Sequence, residues 1–107
     1  MIDKRRYLRI PLSLPIKFKR IGYIIVEGNL SKDLSVQGIK FLSQKFVPVQ
    51  SFIKIEIYLK DNHEPVKFIA NVAWIKSVFE DELFEIGAKI VEISREDSFI
   101  LREALGF

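Results

Sequence analysis

Two short stretches carry residue types that could hold a small charged ligand: Lys4-Arg5-Arg6-Tyr7-Leu8-Arg9 near the start, and Asp33-Leu34-Ser35-Val36-Gln37-Gly38 further along. Arg5 and Arg9 present planar forks of N–H donors that match phosphate oxygens or the acceptor edge of guanine. In an extended chain Asp33 and Ser35 alternate with Leu34 and Val36, so two small polar side chains leave one face and two aliphatic ones the other. Gly38 ends the run, where a glycine can take positive φ or let another group come close to the backbone. One stretch offers donors and the other acceptors. That combination suits a ligand with both acidic phosphates and a donor-bearing base edge.

The rest of the inventory is poor in catalytic material. The single histidine, His63, stands between Asn62 and Glu64, with no cysteine or nucleophile elbow to pair with, so it reads as a solvated turn residue and not as part of a hydrolytic triad. Glu80-Asp81-Glu82 lacks the loop pattern of a calcium site and reads as a solvated turn. Neither GxGxxG nor GxxxxGK[ST] occurs, and no histidine and carboxylate cluster has transition-metal spacing. With no cysteine in the chain, disulfides and thiolate chemistry are excluded. No enzyme activity, cofactor or metal is expected.

At 107 residues and 49% hydrophobic content, the chain suffices for one packed core and is short for two, so residues 1–107 are expected to form a single domain. No apolar run approaches a membrane span, and charges occupy the place where a signal peptide needs an apolar block, which points to a cytoplasmic protein without membrane insertion. The net charge of +3 is unevenly spread. Through Arg20 seven basic residues face Asp3 alone, giving +6, whereas the remainder holds ten basic and thirteen acidic residues, giving −3. Positive potential therefore gathers at the N-terminal end, favouring a local anion site there.

These residues need elements to position them. Pro11 and Pro15 prevent a helix interior or central strand, so residues 1–12 are expected to be a flexible basic arm. Residues 14–20 alternate apolar and basic and predict a strand, ended by Gly22. Residues 23–34 predict a second strand with an irregularity at Gly28 and Asn29, followed by a strand at 39–42 and a loop over 43–51. In 52–59, Ile53, Ile55, Ile57 and Leu59 share one parity. After the turn at 61–65, Val66, Phe68, Ala70, Val72 and Trp74 share another, predicting a hairpin with Trp74 in the core in preference to a base-stacking face. Residues 83–93 predict the last strand, through Gly87. Ser94 then caps a helix of about three turns, with Glu96 and Asp97 in its first turn. That helix is expected to bury Phe99, Ile100 and Leu105 before Gly106. The pattern predicts an all-β dominated fold: a small antiparallel, six-stranded, split-barrel-like β-barrel over 13–93 with a C-terminal helix over 94–106.

The order Arg5-x-x-x-Arg9, strand, Asp33-x-Ser35-x-x-Gly38, then a β-rich body with Ile86-Gly87-Ala88-Lys89-Ile90 and a final helix, resembles the PilZ domain family, bacterial receptors for the second messenger cyclic di-GMP. The resemblance covers nearly the whole chain. It implies that Arg5 and Arg9 grip the phosphates and stack on or hydrogen-bond guanine, while Asp33, Ser35 and Gly38 receive a guanine edge and the ligand backbone on the barrel surface. Lys4, Arg6 and Trp74 are weaker candidates. The resulting expectation is a non-catalytic cyclic di-GMP receptor or adaptor. Its arm orders over the ligand and its altered surface is read by a downstream protein; a homodimer is left open and no nucleic acid is expected. Two alternatives stand beside it. One is a nucleic-acid-binding small barrel with a basic and aromatic stacking groove, disfavoured by the −3 charge after Arg20. The other is a PilZ-like interaction adaptor that needs no ligand, disfavoured by the intact motif residues.

Overall fold

The computed structural model describes residues 10–11, 13–22, 27–59, 64–80 and 82–106; Lys4, Arg5, Arg6, Arg9, His63 and Asp81 lie outside them. The elements are β1 (Ile10–Pro11), β2 (Pro15–Arg20), β3 (Glu27–Leu34), β4 (Gly38–Ser43), β5 (Phe52–Ile57), β6 (Val66–Val78), β7 (Leu83–Ile93) and α1 (Arg95–Ala104). Ile10 and Pro11, within the stretch expected to be an arm, thus form a short strand on β3.

All pairings are antiparallel. The order β3-β2-β5-β6-β7-β4 returns to β3 through the β3–β4 pairing, so the six longer strands close a ring, with β1 added beside β3. Alternation explains the closure, since each strand sends one parity inward. In β5 Ile53, Ile55 and Ile57 are fully buried while Phe52 and Lys54 face solvent. In β2 Ile16 and Phe18 point in and Lys17 points out. Phe18 and Phe41 meet in the interior at 4.8 Å between centroids. Each such side chain contributes roughly 1.5–3 kcal/mol on burial. Val47, also buried, ties the loop between β4 and β5 to the same core.

Three register shifts interrupt the alternation, and they re-aim side chains. One lies between Ser31 and Asp33 on β3, one between Val72 and Trp74 on β6, and one between Ile69 and Ala70 against β7. An extra residue in one strand reverses the parity beyond it. Phe68, Ala70 and Val72 face the core, but past Ala73 the inward residue is Ile75, and Trp74 is 38% exposed. The core position that parity predicts for Trp74 is therefore incorrect. The predicted irregularity at Gly28 and Asn29 is also displaced: both pair in unbroken register with Lys17 and Ile16, and the shift comes at Lys32.

In α1 the Ser94 hydroxyl accepts from the Asp97 N–H at 3.0 Å, with Glu96 and Asp97 in the first turn. The buried side chains are Leu101 and Leu105, one turn apart, while Phe99 is 63% exposed and Ile100 half-buried. Phe99 precedes Leu101 by two residues, about 200° around the helix axis, so both cannot face the core. The expectation for Phe99 is corrected accordingly.

Candidate ligand site

The end of β3 and the start of β4 are joined by the tight turn that Ser35 builds. Its N–H donates to the Gly38 carbonyl at 2.9 Å, and its hydroxyl oxygen accepts from the N–H groups of Gln37 at 3.2 Å and Gly38 at 3.1 Å. The Gln37 carbonyl in turn accepts from the Ile90 N–H at 2.7 Å, tying the turn to β7. Ser35 is 2% exposed. Its hydroxyl shapes the turn from beneath, a local side-chain to backbone arrangement that serine favours.

Gly38 opens β4 instead of ending an extended run, and among the described glycines only Gly22 and Gly106 take positive φ. The need for glycine here is one of space. A Cβ at 38 would lie 2.5 Å from the Ala88 carbonyl oxygen and 3.5 Å from Lys89 Cα, both backbone atoms of the neighbouring strand. Close approach of β4 to β7 requires a residue without a side chain.

From this turn a row of partners crosses four strands. Asp33 pairs with Lys40, Lys40 with Gly87, and Gly87 with Trp74. The Asp33 carboxylate lies 3.3 Å from Lys40 Nζ. The Trp74 indole occupies the space that a side chain at Gly87 would fill. Beside it opens a shallow cleft of about 170 Å³ lined by Gln37, Gly38, Ala73, Trp74, Gly87, Ala88 and Lys89. An aromatic platform, a carboxylate and two lysines thus line one strip of the outer surface, able to stack a planar ring, accept from its N–H groups and neutralise an anion. On β3, Ile10 pairs with Leu34. Ile10 directly follows Arg9 in sequence and Leu34 precedes Ser35. Arg5, Arg9, Lys4 and Arg6 themselves lie outside the described residues.

Next to the row, Glu85 is 7% exposed, with its carboxylate 2.7 Å from Lys32 Nζ and 3.8 Å from Lys76 Nζ. The hydrogen bond from Lys32 holds the Glu85 carboxyl below its ordinary value of 4.5, against the opposing effect of burial, with further help from the charges of Lys32, Lys76 and Lys40. Because the folded value lies below the unfolded one, this stabilisation is complete above about pH 4.5 and disappears as pH falls through the folded value. Melting wild type and Glu85→Gln across pH 3 to 7 should show the variant less stable at neutral pH and the gap narrowing with acid. Parallel curves would remove Glu85 from the acid response. Lys32 is the residue at the β3 shift, so this ion pair also secures the bend that places Asp33.

Of the candidates from sequence, the structure brings Asp33, Ser35 and Gly38 together at one turn; Lys40, Gly87 and Lys89, which sequence reasoning did not single out as candidates, stand beside them. An isolated glycine inside a strand pattern signals a bulge or close approach, so Gly87 was detectable as a neighbour of some bulky group. The identity of that group as Trp74 depends on the Ala73 bulge, for which the local sequence carries no cue. Among the described residues no group of three or more His, Cys, Asp or Glu could hold a metal ion, and no described helix is long and apolar enough to cross a membrane.

Compared with known families, the sequence matches the PilZ domain over residues 3–106. The chain belongs to the PilZ domain family. No curated protein matches it by sequence. Its fold is shared with the Bacillus subtilis inhibitor of motility (MotI/DgrA), at a TM-score of 0.78 and 19% identity over 96% of this chain and 50% of that one. It is shared also with the PilZ domain of YcgR from Escherichia coli, solved with c-di-GMP, at 0.72 and 16% over 95% and 88%. MrkH from K. pneumonia, in its c-di-GMP complex, aligns at 0.72 and 14% over 97% and 51%. The chain thus spans about half the length of MotI and of MrkH.

Within this PilZ domain Gly87 offers a substitution with a local readout. In Gly87→Ala the new methyl group collides with the Trp74 indole, a side chain that can rotate away. The expected result is a shifted Trp74 emission with little loss of stability, because overpacking is relieved outward into solvent. An unchanged emission spectrum would mean that the indole does not rest on Gly87.

Proposed function

We propose that this PilZ domain is a non-catalytic cytoplasmic receptor for cyclic di-GMP that passes ligand occupancy to a partner protein. The row Asp33, Lys40, Gly87 and Trp74, set against the Ser35–Gly38 turn, carries this reading. It combines an acceptor for the N–H donors of guanine's Watson–Crick edge, cations for phosphate and an aromatic face for stacking. Arg5 and Arg9 complete the site in the proposal, donating to phosphate or to the acceptor edge of guanine. The β1 pairing of Ile10 with Leu34 supports it, since it fixes the residue after Arg9 beside the turn. Ser35 and Gly38 contribute by shape: the hydroxyl sets the turn, and the missing side chain lets the ligand and β7 share one shallow cleft. Lys4 and Arg6 add positive field. The c-di-GMP present in the YcgR and MrkH structures makes this ligand the first to test.

Trp74 is the single tryptophan of the chain, so its fluorescence reports on the cleft alone. Titration with cyclic di-GMP should give a saturable emission change, with matching heats by calorimetry, and GMP at the same concentrations should give a much smaller response. Absence of both signals with cyclic di-GMP would refute the assignment.

A further inference from the structure

The lysines of the described barrel fall into two groups. Around β3, β4, β6 and β7, Lys32 and Lys76 pair with Glu85 and Lys40 with Asp33, and Lys89 lines the ligand cleft. On the outer face of β2, β5 and the start of β6, Lys17, Lys19, Lys54 and Lys67 have no carboxylate within ion-pair distance among the described residues. Glu56 sits between Lys17 and Lys67 in register, but its carboxylate accepts a hydrogen bond from the Tyr58 hydroxyl at 3.2 Å. Lys17 lies over the Tyr58 ring instead, 5.6 Å from its centroid. Lys19 and Lys54 stand directly opposite each other across β2 and β5, a like-charge pairing that destabilises a sheet until an anion lies between.

The strip continues into apolar surface. Ile21 follows Lys19 at the same parity, Phe52 precedes Lys54, and the Ile21 N–H donates to the Phe52 carbonyl at 2.9 Å. Both side chains are exposed, at 46% and 52%. A cleft of about 190 Å³ lies among Lys17, Phe18, Lys19, Lys54 and Glu56. The ring order places β2 and β5 across the barrel from β4 and β7, so this face is separate from the ligand strip.

We infer that the β2–β5 face is a protein-docking surface for an acidic segment bearing an apolar side chain, its carboxylates meeting Lys19, Lys54 and their neighbours and its apolar group resting on Ile21 and Phe52. This rests on the adaptor part of the proposed function and not on the ligand. Charge complementarity selects the occupant, because an unneutralised lysine cluster favours an acidic partner and suppresses basic ones. The adjacent apolar pair, flanked by polar side chains, has the composition of a protein interface. A nucleic acid, which needs successive stacking rings along a basic groove, is disfavoured: Lys17 lies over Tyr58, leaving Phe52 as the exposed ring of this face.

The test uses the full chain and two fluorescein-labelled peptides, a run of glutamates with leucine at its centre and its all-glutamate counterpart, measured by anisotropy. Lys19→Glu with Lys54→Glu keeps a like-charge pair of the other sign, so the fold should tolerate it, and it should weaken the leucine peptide by about tenfold or more. Phe52→Ser should weaken the leucine peptide selectively. Cyclic di-GMP binding, read at Trp74, should be unchanged in both variants, which separates this inference from the ligand assignment. Equal peptide binding by wild type and the double lysine variant would overturn it. So would tighter binding to phosphatidylglycerol vesicles or a single-stranded oligonucleotide that the same variant abolishes, which would give the face to lipid or nucleic acid.

Discussion

Arg9→Ala is expected to lower the affinity for cyclic di-GMP by at least about tenfold, and Arg5→Ala with Arg9→Ala to bring binding below calorimetric detection. A hydrogen bond involving a charged group contributes roughly 1.5–3 kcal/mol, and each 1.4 kcal/mol is a factor of about ten in Kd. Guanidinium also offers two parallel donors to a phosphate or guanine edge, which lysine cannot reproduce. Arg9→Lys should therefore recover only part of the loss. Arg9 adjoins Ile10 in sequence, and Ile10 pairs with Leu34 beside the turn, so deleting the Arg9 side chain should cost at least as much as deleting that of Arg5. Equal Kd values for wild type and Arg9→Ala would dismiss the arm from the site.

Gly38→Ala is expected to fail for a different reason, through the fold. The added methyl group would stand 2.5 Å from the Ala88 carbonyl oxygen, and backbone of a paired strand cannot turn aside as a side chain can. Either β4 moves off β7 or the turn held by Ser35 opens; overpacking of this kind costs about 1–3 kcal/mol. For a chain of this size a loss of about 2 kcal/mol lowers Tm by on the order of 10 °C. Because Gly38 N–H also bonds to the Ser35 hydroxyl, the cleft should distort with it, and ligand affinity should fall together with Tm. An alanine variant that melts like wild type would show that the strands are less tightly apposed at this point. The contrast with Gly87→Ala is informative, since the same methyl group there meets a movable indole.

These two glycines also show how far the sequence could be read. Strand positions followed from alternation: Ile53, Ile55 and Ile57 announce their buried parity, and the six-strand barrel and C-terminal helix could be inferred from such runs and their turns. The Asp33 to Gly38 turn was legible because its residue types are those that close turns and admit close approach. Trp74 was not, because period-two reasoning assumes an unbroken strand and a single extra residue at Ala73 reverses every side chain beyond it. Lys40 and Glu85 escaped because a charge network is assembled by register across β3, β4, β6 and β7, and no local window contains it. Phe99 was misplaced because the narrow buried stripe of α1 depends on where the helix sits against β6, which its own residues do not state. The basic face of β2 and β5 was likewise hidden by a net charge summed along the chain, while neutralisation is decided across strands.

The central claim is that the Asp33–Gly38 turn and the arginine arm are two halves of one site. Limited trypsin digestion read by mass spectrometry tests it most directly, following cleavage after Lys4, Arg5, Arg6 and Arg9 with and without cyclic di-GMP. Ligand should slow these cuts in wild type and leave them unchanged in Asp33→Ala at the same concentration. Equal protection in both proteins, or none in wild type at saturating ligand, would contradict the claim.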